Sequence, residues 1–227
     1  MAQDLQQDKF STTQSELTIN FVKHASLFFE FDGKVIHVDP VSGMGNYNSY
    51  PKADLIIITH HHGDHLDINA INLIKKENTK IILTEKCKEI NEGLSDVIIM
   101  KNSDLLTING LEIEAIPAYN IENKRPNGDP FHKKGEGNGY IITFGDKRVL
   151  IAGDTENTPE IKALKNIDIA FLPMNLPYTM TPEMVASAAK AFSPKVLYPY
   201  HYGSTDTTIL LELLKNEKDI EVRIKRM

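Results

Sequence analysis

His60-His61-His62-Gly63-Asp64-His65 sets four histidines and a carboxylate within six residues, one residue after the apolar run Leu55-Ile56-Ile57-Ile58. An apolar run rich in β-branched residues reads as a buried strand. Side chains alternate at a strand end, so His60 and His62 share one side while His61 points to the other. Gly63 is expected to permit a tight turn that returns Asp64 and His65 to the same space. The resulting pattern offers two imidazoles to one cation, and a carboxylate with an imidazole to a second. Neutral imidazole and carboxylate suit zinc, iron and manganese alike. The bland reading is a polar loop or an incidental histidine run. An internal cluster broken by Asp64 and fed by a buried strand argues against it, because gathering such groups without a partner costs desolvation.

Two further segments carry the same residue types behind apolar runs. Gly153-Asp154-Thr155 follows Val149-Leu150-Ile151-Ala152, and Pro199-Tyr200-His201-Tyr202-Gly203 follows Val196-Leu197-Tyr198. Taken alone, Asp154 reads equally well as a turn residue and His201 as a capped strand end. With the histidine cluster present, both become candidate ligands.

The elements that must position these groups are short. Leu17 to Val22 alternates apolar and polar, as a half-buried strand does. Asp32-Gly33 is a hairpin signal between Ser26–Phe31 and Lys34–Val38, the second of which ends at Asp39-Pro40. A helix is expected from Ile68 to Ile74, and strands at 81–83, 97–100 and 111–116. A long polar loop from Asn120 to about Asn138 follows; loops of that length are usually functional lids or disordered. Glycines 135, 137 and 139 are taken to mark only its flexibility. Beyond it, Tyr140 to Ala152 reads as another hairpin ending in an acid, and Ile167 to Leu172 as another buried strand. Hairpin, acid, loop or helix, buried strand thus occurs twice, a faint internal duplication. Thr181-Pro182-Glu183 is a helix start with Thr at the N-cap and Pro behind it. Residues 1–16 are polar and read as a flexible lead-in, with 17–227 as a single domain.

Composition narrows the classes. The chain has 227 residues, 41% hydrophobic and 25% charged, which is ordinary globular composition. A net charge of -6 argues against a dedicated nucleic-acid surface. The basic end, Arg223 to Arg226, reads as a solvated strand edge. No apolar run approaches the ~20 residues that span a bilayer. Cys87, the one cysteine, excludes an internal disulfide and a thiolate cage, and reads as a surface or half-buried structural thiol. The start shows no apolar signal core, which suits a cytoplasmic protein; Ala2-Gln3 also suits a mature exported one.

At His60-x-His62-x-Asp64-His65, Gly153-Asp154-Thr155 and Pro199-Tyr200-His201-Tyr202-Gly203, the chain resembles the metallo-β-lactamase superfamily. Lys23-His24-Ala25-Ser26, Val38-Asp39-Pro40, Ile116-Pro117-Ala118-Tyr119-Asn120 and Tyr178-Thr179-Met180-Thr181 make it most similar to small hydrolases related to ascorbate-6-phosphate lactonase. The resemblance runs from about Thr18 to Lys215. It implies a four-layer αβ/βα sandwich: an α/β fold of two mixed sheets flanked by helices, with the site between the sheet edges.

The same resemblance implies a pair of divalent cations, zinc first, with manganese or iron as alternatives. His60 and His62 would hold the first, Asp64, His65 and His201 the second, with Asp154 bridging. Asn120 stands where many members supply a third histidine to the first cation. His132 is the substitute expected from the long loop, with Asn120 nearby as a weaker ligand or substrate contact. Asp39 and His24 are candidates to hold ligand imidazoles by their other N–H. Tyr178 is a candidate substrate contact or a helix cap. The activity implied is hydrolysis by a hydroxide shared between the cations, oriented by Asp64. The substrate would be a lactone or related small molecule, phosphorylated or not, with Arg125, Lys133 and Lys134 available to a phosphate. A phosphodiesterase and a non-catalytic metal-binding module are the alternatives. A small-molecule substrate is the expected partner, with no nucleic acid and no membrane; a homo-oligomer stays open.

Overall fold

The computed structural model describes residues 5–227. Their contacts divide the described residues into two compact units, 5–100 with 226–227, and 101–225.

The first unit is a seven-stranded sheet in sequential order. Its strands are β1 (Gln6–Ser11), β2 (Glu16–Lys23), β3 (Ser26–Phe31), β4 (Lys34–Val38), β5 (Leu55–Ile57), β6 (Lys80–Leu83) and β7 (Val97–Ile99). The pairings from β1 through β4 are antiparallel, and those from β4 through β7 are parallel. Helices α1 (Ile68–Ile74) and α2 (Glu85–Ile90) fill two of the crossovers that parallel pairing requires. Ile56, Ile58, Ala70, Ile71, Ile74, Ile81 and Leu83 form one buried cluster, so α1 packs its apolar face on the parallel half.

The second unit repeats this plan. Its strands are β8 (Leu105–Ile108), β9 (Leu111–Ala118), β10 (Gly137–Phe144), β11 (Lys147–Ile151), β12 (Ile169–Pro173), β13 (Val196–Tyr200) and β14 (Glu221–Val222). Again four strands pair antiparallel and the last four, β11 through β14, pair parallel. Its helices are α3 (Pro159–Lys162), α4 (Pro182–Phe192) and α5 (Thr207–Leu214). Thr181 caps α4 by accepting the Met184 N–H, as the Thr-Pro-Glu start requires.

The duplication reaches individual bonds. Asp54, just before β5, accepts Val35 N–H at 2.9 Å and pairs with Lys76 at 2.6 Å. Asp168, just before β12, accepts Arg148 N–H at 2.9 Å and pairs with Lys195 at 2.7 Å. In both units a carboxylate clamps the entry of the central parallel strand to its neighbour.

Several expectations need correction. Within the supposed lead-in, residues 6–11 form β1, pairing residue for residue with β2 from Gln6↔Phe21 to Ser11↔Glu16. Its polar alternation marks an edge strand whose inward residues are only half-buried, a pattern easily taken for loop. Residues 1–4 of that lead-in lie outside the described residues. Strand β8 is apolar in sequence, Leu-Leu-Thr-Ile, but too short to show a period and none of its residues is fully buried; the one-turn helix α3 carries only Ile161 as a buried apolar residue. Cys87 is fully buried, and burial pushes its thiol up from the ordinary value. The basic C-terminal stretch lies past β14 rather than in a strand. Gly137 and Gly139 belong to β10, not to a flexible loop. A Cβ at Gly139 would lie 2.7 Å from the Ala152 carbonyl oxygen, so the strand needs a hydrogen there. No described helix is long and apolar enough to cross a membrane.

Candidate metal centre

In the first unit the ligand candidates leave the carboxyl end of β5. Backbone N–H groups of His65 and Leu66 both bond the His62 carbonyl, at 3.0 and 2.9 Å, and close the turn. Gly63 is not among the positive-φ glycines and has open space where a Cβ would stand. The turn is therefore held by hydrogen bonds, not by glycine's conformational freedom as expected. Asp67 then caps α1 by accepting the Asn69 N–H.

Asp39 governs the aim of the imidazoles. It is fully buried at the end of β4, with φ 43°. Its Oδ1 accepts Thr59 N–H at 2.8 Å, and its Oδ2 accepts the Thr59 hydroxyl at 2.7 Å. The same Oδ2 lies 2.8 Å from His65 Nδ1. Because the Thr59 hydroxyl donates to Asp39, it is an acceptor towards His60 Nδ1, 3.0 Å away. Both rings thus carry their proton on Nδ1 and present Nε2, the arrangement that orients metal-ligating histidines. His60 Nε2 faces His62 Nδ1 at 3.2 Å. Asp64 is less enclosed: its side chain is 43% exposed, with Oδ2 3.0 Å from His24 Nε2 and 3.8 Å from His65 Nε2. His24, at φ 61°, is thereby placed on the Asp64 carboxylate.

The second unit holds a buried triad. Asp154 Oδ2 stands 3.3 Å from His132 Nε2 and 3.5 Å from His201 Nε2. Gly153 at φ 65° turns the chain after β11, and His201 at φ 49° turns it after β13. Left-handed backbone at non-glycine residues is uncommon and concentrates at functional sites; here His24, Asp39 and His201 all adopt it. His132 is 8% exposed and points inward. Its backbone N–H and its ring Nδ1 both meet Asn120 Oδ1, each at 2.8 Å. Asn120 donates its amide to Glu156 Oε1 at 3.1 Å and to the Tyr178 carbonyl at 2.9 Å. Asn120, expected as a weaker ligand or substrate contact, has both amide ends taken by protein groups and instead aims His132. Tyr178 is no helix cap, since Thr181 performs that role; the residue is 45% exposed and its ring stands edge-on to Phe131, centroids 5.0 Å apart.

The donor chemistry fits divalent cations. His132 donates its Nδ1 proton to Asn120, so its Nε2 lone pair is directed at a carboxylate oxygen. His60 likewise directs a lone pair at the His62 ring. That lone pair can accept the His62 Nδ1–H at 3.2 Å, and imidazole nitrogens gathered with a buried carboxylate are the donor types that suit a divalent cation. His37 belongs to a different environment. It stacks on Phe28 at 4.8 Å, bonds the Pro51 carbonyl at 3.0 Å, and burial pushes its pKa down to about 4. It is a core histidine.

Thr59 and Glu156 are the residues that motif reading missed. The signal for Thr59 is a hydroxyl between a buried strand and its first histidine. That for Glu156 is a second acid two residues beyond Asp154.

Sheets with this strand order and ligand-rich strand ends define the metallo-β-lactamase fold. Residues 18–201 match the family model described as the beta-lactamase superfamily domain, and the chain belongs to that family. A structure from Parabacteroides distasonis described as a metal-dependent hydrolase is 49% identical, covers 98% of this chain and 99% of its own, and superposes with a TM-score of 0.92. A UPF0173 metal-dependent hydrolase of Thermococcus kodakarensis is 31% identical, over 82% of this chain and 84% of the relative. Igni18, a metallo hydrolase of Ignicoccus hospitalis, shares the fold at 24% identity and TM-score 0.74, over 92% of this chain and 94% of its own.

Proposed function

We propose that the chain is a metal-dependent hydrolase in which both donor sets serve one pair of divalent cations. The observation that carries this reading is the aiming of the lone pairs. His60 and His65 in the first unit, and His132 in the second, each give a ring proton to a protein acceptor, so each offers Nε2 as a ligand atom. Family membership and the named activity of the relatives from Parabacteroides distasonis and Thermococcus kodakarensis support the same conclusion. His60, His62 and His132 would supply nitrogen to one cation, and His65, His201 and Asp64 would serve the other, with Asp154 shared. Zinc is the first choice for this donor set, with manganese or iron next.

Divalent cations held there would acidify a coordinated water and polarise the substrate's carbonyl or phosphoryl oxygen, making the attached carbon or phosphorus more electrophilic. The protein's own part is positional. Asp39 and Thr59 keep His60 and His65 in the ligating tautomer. Asp64, half-exposed and bonded to His24, would hold a proton taken from the attacking water. His24 steadies that carboxylate and gives the proton a second resting place.

For the substrate we favour a lactone or a related small ester bearing a negative charge. Lys134 is engaged, 2.6 Å from Glu160 and over the Tyr119 ring, so it is a poor anion receptor. Arg125 lies over the Phe131 ring at 5.0 Å, beside the exposed Tyr178, which favours an anionic substrate with an apolar portion. Metal analysis followed by parallel assays on lactones and phosphodiesters tests the reading. Turnover of phosphodiesters alone would reject the lactone, and bound metal without any turnover would reject the hydrolase.

A further inference from the structure

The loop that carries His132 is anchored by one buried carboxylate. Glu156 is 1% exposed. Its Oε2 accepts the backbone N–H groups of Ile121 and Glu122, each at 2.8 Å. Its Oε1 accepts the Asn123 N–H at 2.7 Å and the Asn120 side-chain amide at 3.1 Å. Four donors from consecutive residues converge on two oxygens. The backbone of Glu156 adds a fifth tie, its N–H donating to the Tyr119 carbonyl at 3.0 Å. Segment 154–156 therefore contributes a ligand at Asp154 and, two residues on, the anchor for the loop bearing a second ligand.

We propose that Glu156 is a positioning residue for the metal centre, acting through Asn120 on His132. The carboxylate fixes the Asn120 amide so that its NH2 faces Glu156 and its oxygen faces His132. That oxygen then receives both the backbone N–H and the ring Nδ1 proton of His132. Were the Asn120 amide to flip, its NH2 would oppose the His132 Nδ1 proton, and the ring would move that proton to Nε2. Nε2 would then be a donor and cease to be a ligand atom. The inference rests on the metal-binding reading above, and deepens it by naming what selects the tautomer of one ligand.

Glu156→Gln tests it. A glutamine offers one oxygen where two are used, so in either amide orientation two of the four donors lose their acceptor. The probe is cobalt(II), added to metal-free protein and followed by its visible absorption and by competition with a chelator. Affinity for one ion is expected to fall about 10–100-fold, as for other partners of ligating histidines. Hydrogen exchange at the amides of 121–123 should rise at least about ten-fold while those of β9 and β10 keep their protection. Asn120→Ala supplies the second variant. It should weaken cobalt binding equally yet leave the 121–123 amides protected, and the double variant should be no weaker than either single one. Wild-type binding with either single variant binding equally tightly overturns the relay, whatever the exchange shows. Unchanged exchange at 121–123 in Glu156→Gln overturns the anchor. Failure of the wild-type protein to bind cobalt would instead count against the metal-binding reading itself, while the exchange comparison still judges the anchor.

Discussion

Asp39→Asn is the substitution whose consequence follows most directly from the geometry. The two side chains are nearly the same size, so packing at this fully buried position is preserved. The hydrogen bonds are not. If the asparagine oxygen keeps the Thr59 N–H, its NH2 confronts the Thr59 hydroxyl and His65 Nδ1, both of which donate to Asp39 Oδ2 at 2.7 and 2.8 Å. The hydroxyl must rotate, which also disturbs its bond to His60 Nδ1. His65 must shift its proton to Nε2, the atom offered to metal. Loss of such a partner typically weakens metal binding about 10–100-fold, or about 1.4–2.8 kcal/mol. A comparable stability cost, about 1–3 kcal/mol, comes from leaving a buried donor without its acceptor. Competitive chelator titration reads the first quantity and urea unfolding of the metal-free protein reads the second. A variant that binds metal within about two-fold of wild type would show that Asp39 does not set the tautomer of His65.

Other perturbations have equally definite outcomes. His37 is neutral in the fold with its pKa at about 4, whereas the unfolded chain protonates near 6.5. Stability owed to the neutral ring is complete above about pH 6.5 and lost as pH falls towards 4, by roughly 3 kcal/mol in total. Relative to His37→Phe, the wild type should therefore weaken on acidification, as measured by denaturant titrations at several pH values; parallel curves would refute this. Gly139→Ala forces a methyl group against the Ala152 carbonyl and should cost about 1–3 kcal/mol in thermal unfolding. An unchanged midpoint would contradict the close approach. Arg125→Ala should raise KM for anionic substrates roughly ten-fold with kcat and neutral substrates little affected; a fall in kcat alone would remove Arg125 from substrate binding.

Much of the plan was legible because the informative patterns are local. The run before Thr59 can only be a buried strand, and alternation beyond it pairs His60 with His62. Asp32-Gly33 fixes a hairpin that must end near Asp39, which is why Asp39 could be singled out. The repeated hairpin and buried strand foreshadowed the repeated pairing pattern, whereas the two sheets followed from the family resemblance. What stayed hidden depends on partners distant in the chain. Strand β1 is defined by its pairing with β2 and has almost no apolar signature. His132 was expected from the long loop, but its partners were not: its ring and backbone meet Asn120, which in turn donates to Glu156, thirty-six residues further on. The Gly63 turn was misjudged because two N–H groups sharing the His62 carbonyl accomplish what glycine was expected to do.

Counting ions on intact chains tests the central claim most directly. Native mass spectrometry of metal-reconstituted protein should give a pair of divalent ions per wild-type chain and no more than one tightly held ion after Asp154→Ala. A wild type that takes up one ion or none, or an Asp154→Ala variant still holding a pair with wild-type affinity, would contradict a centre built on that shared carboxylate.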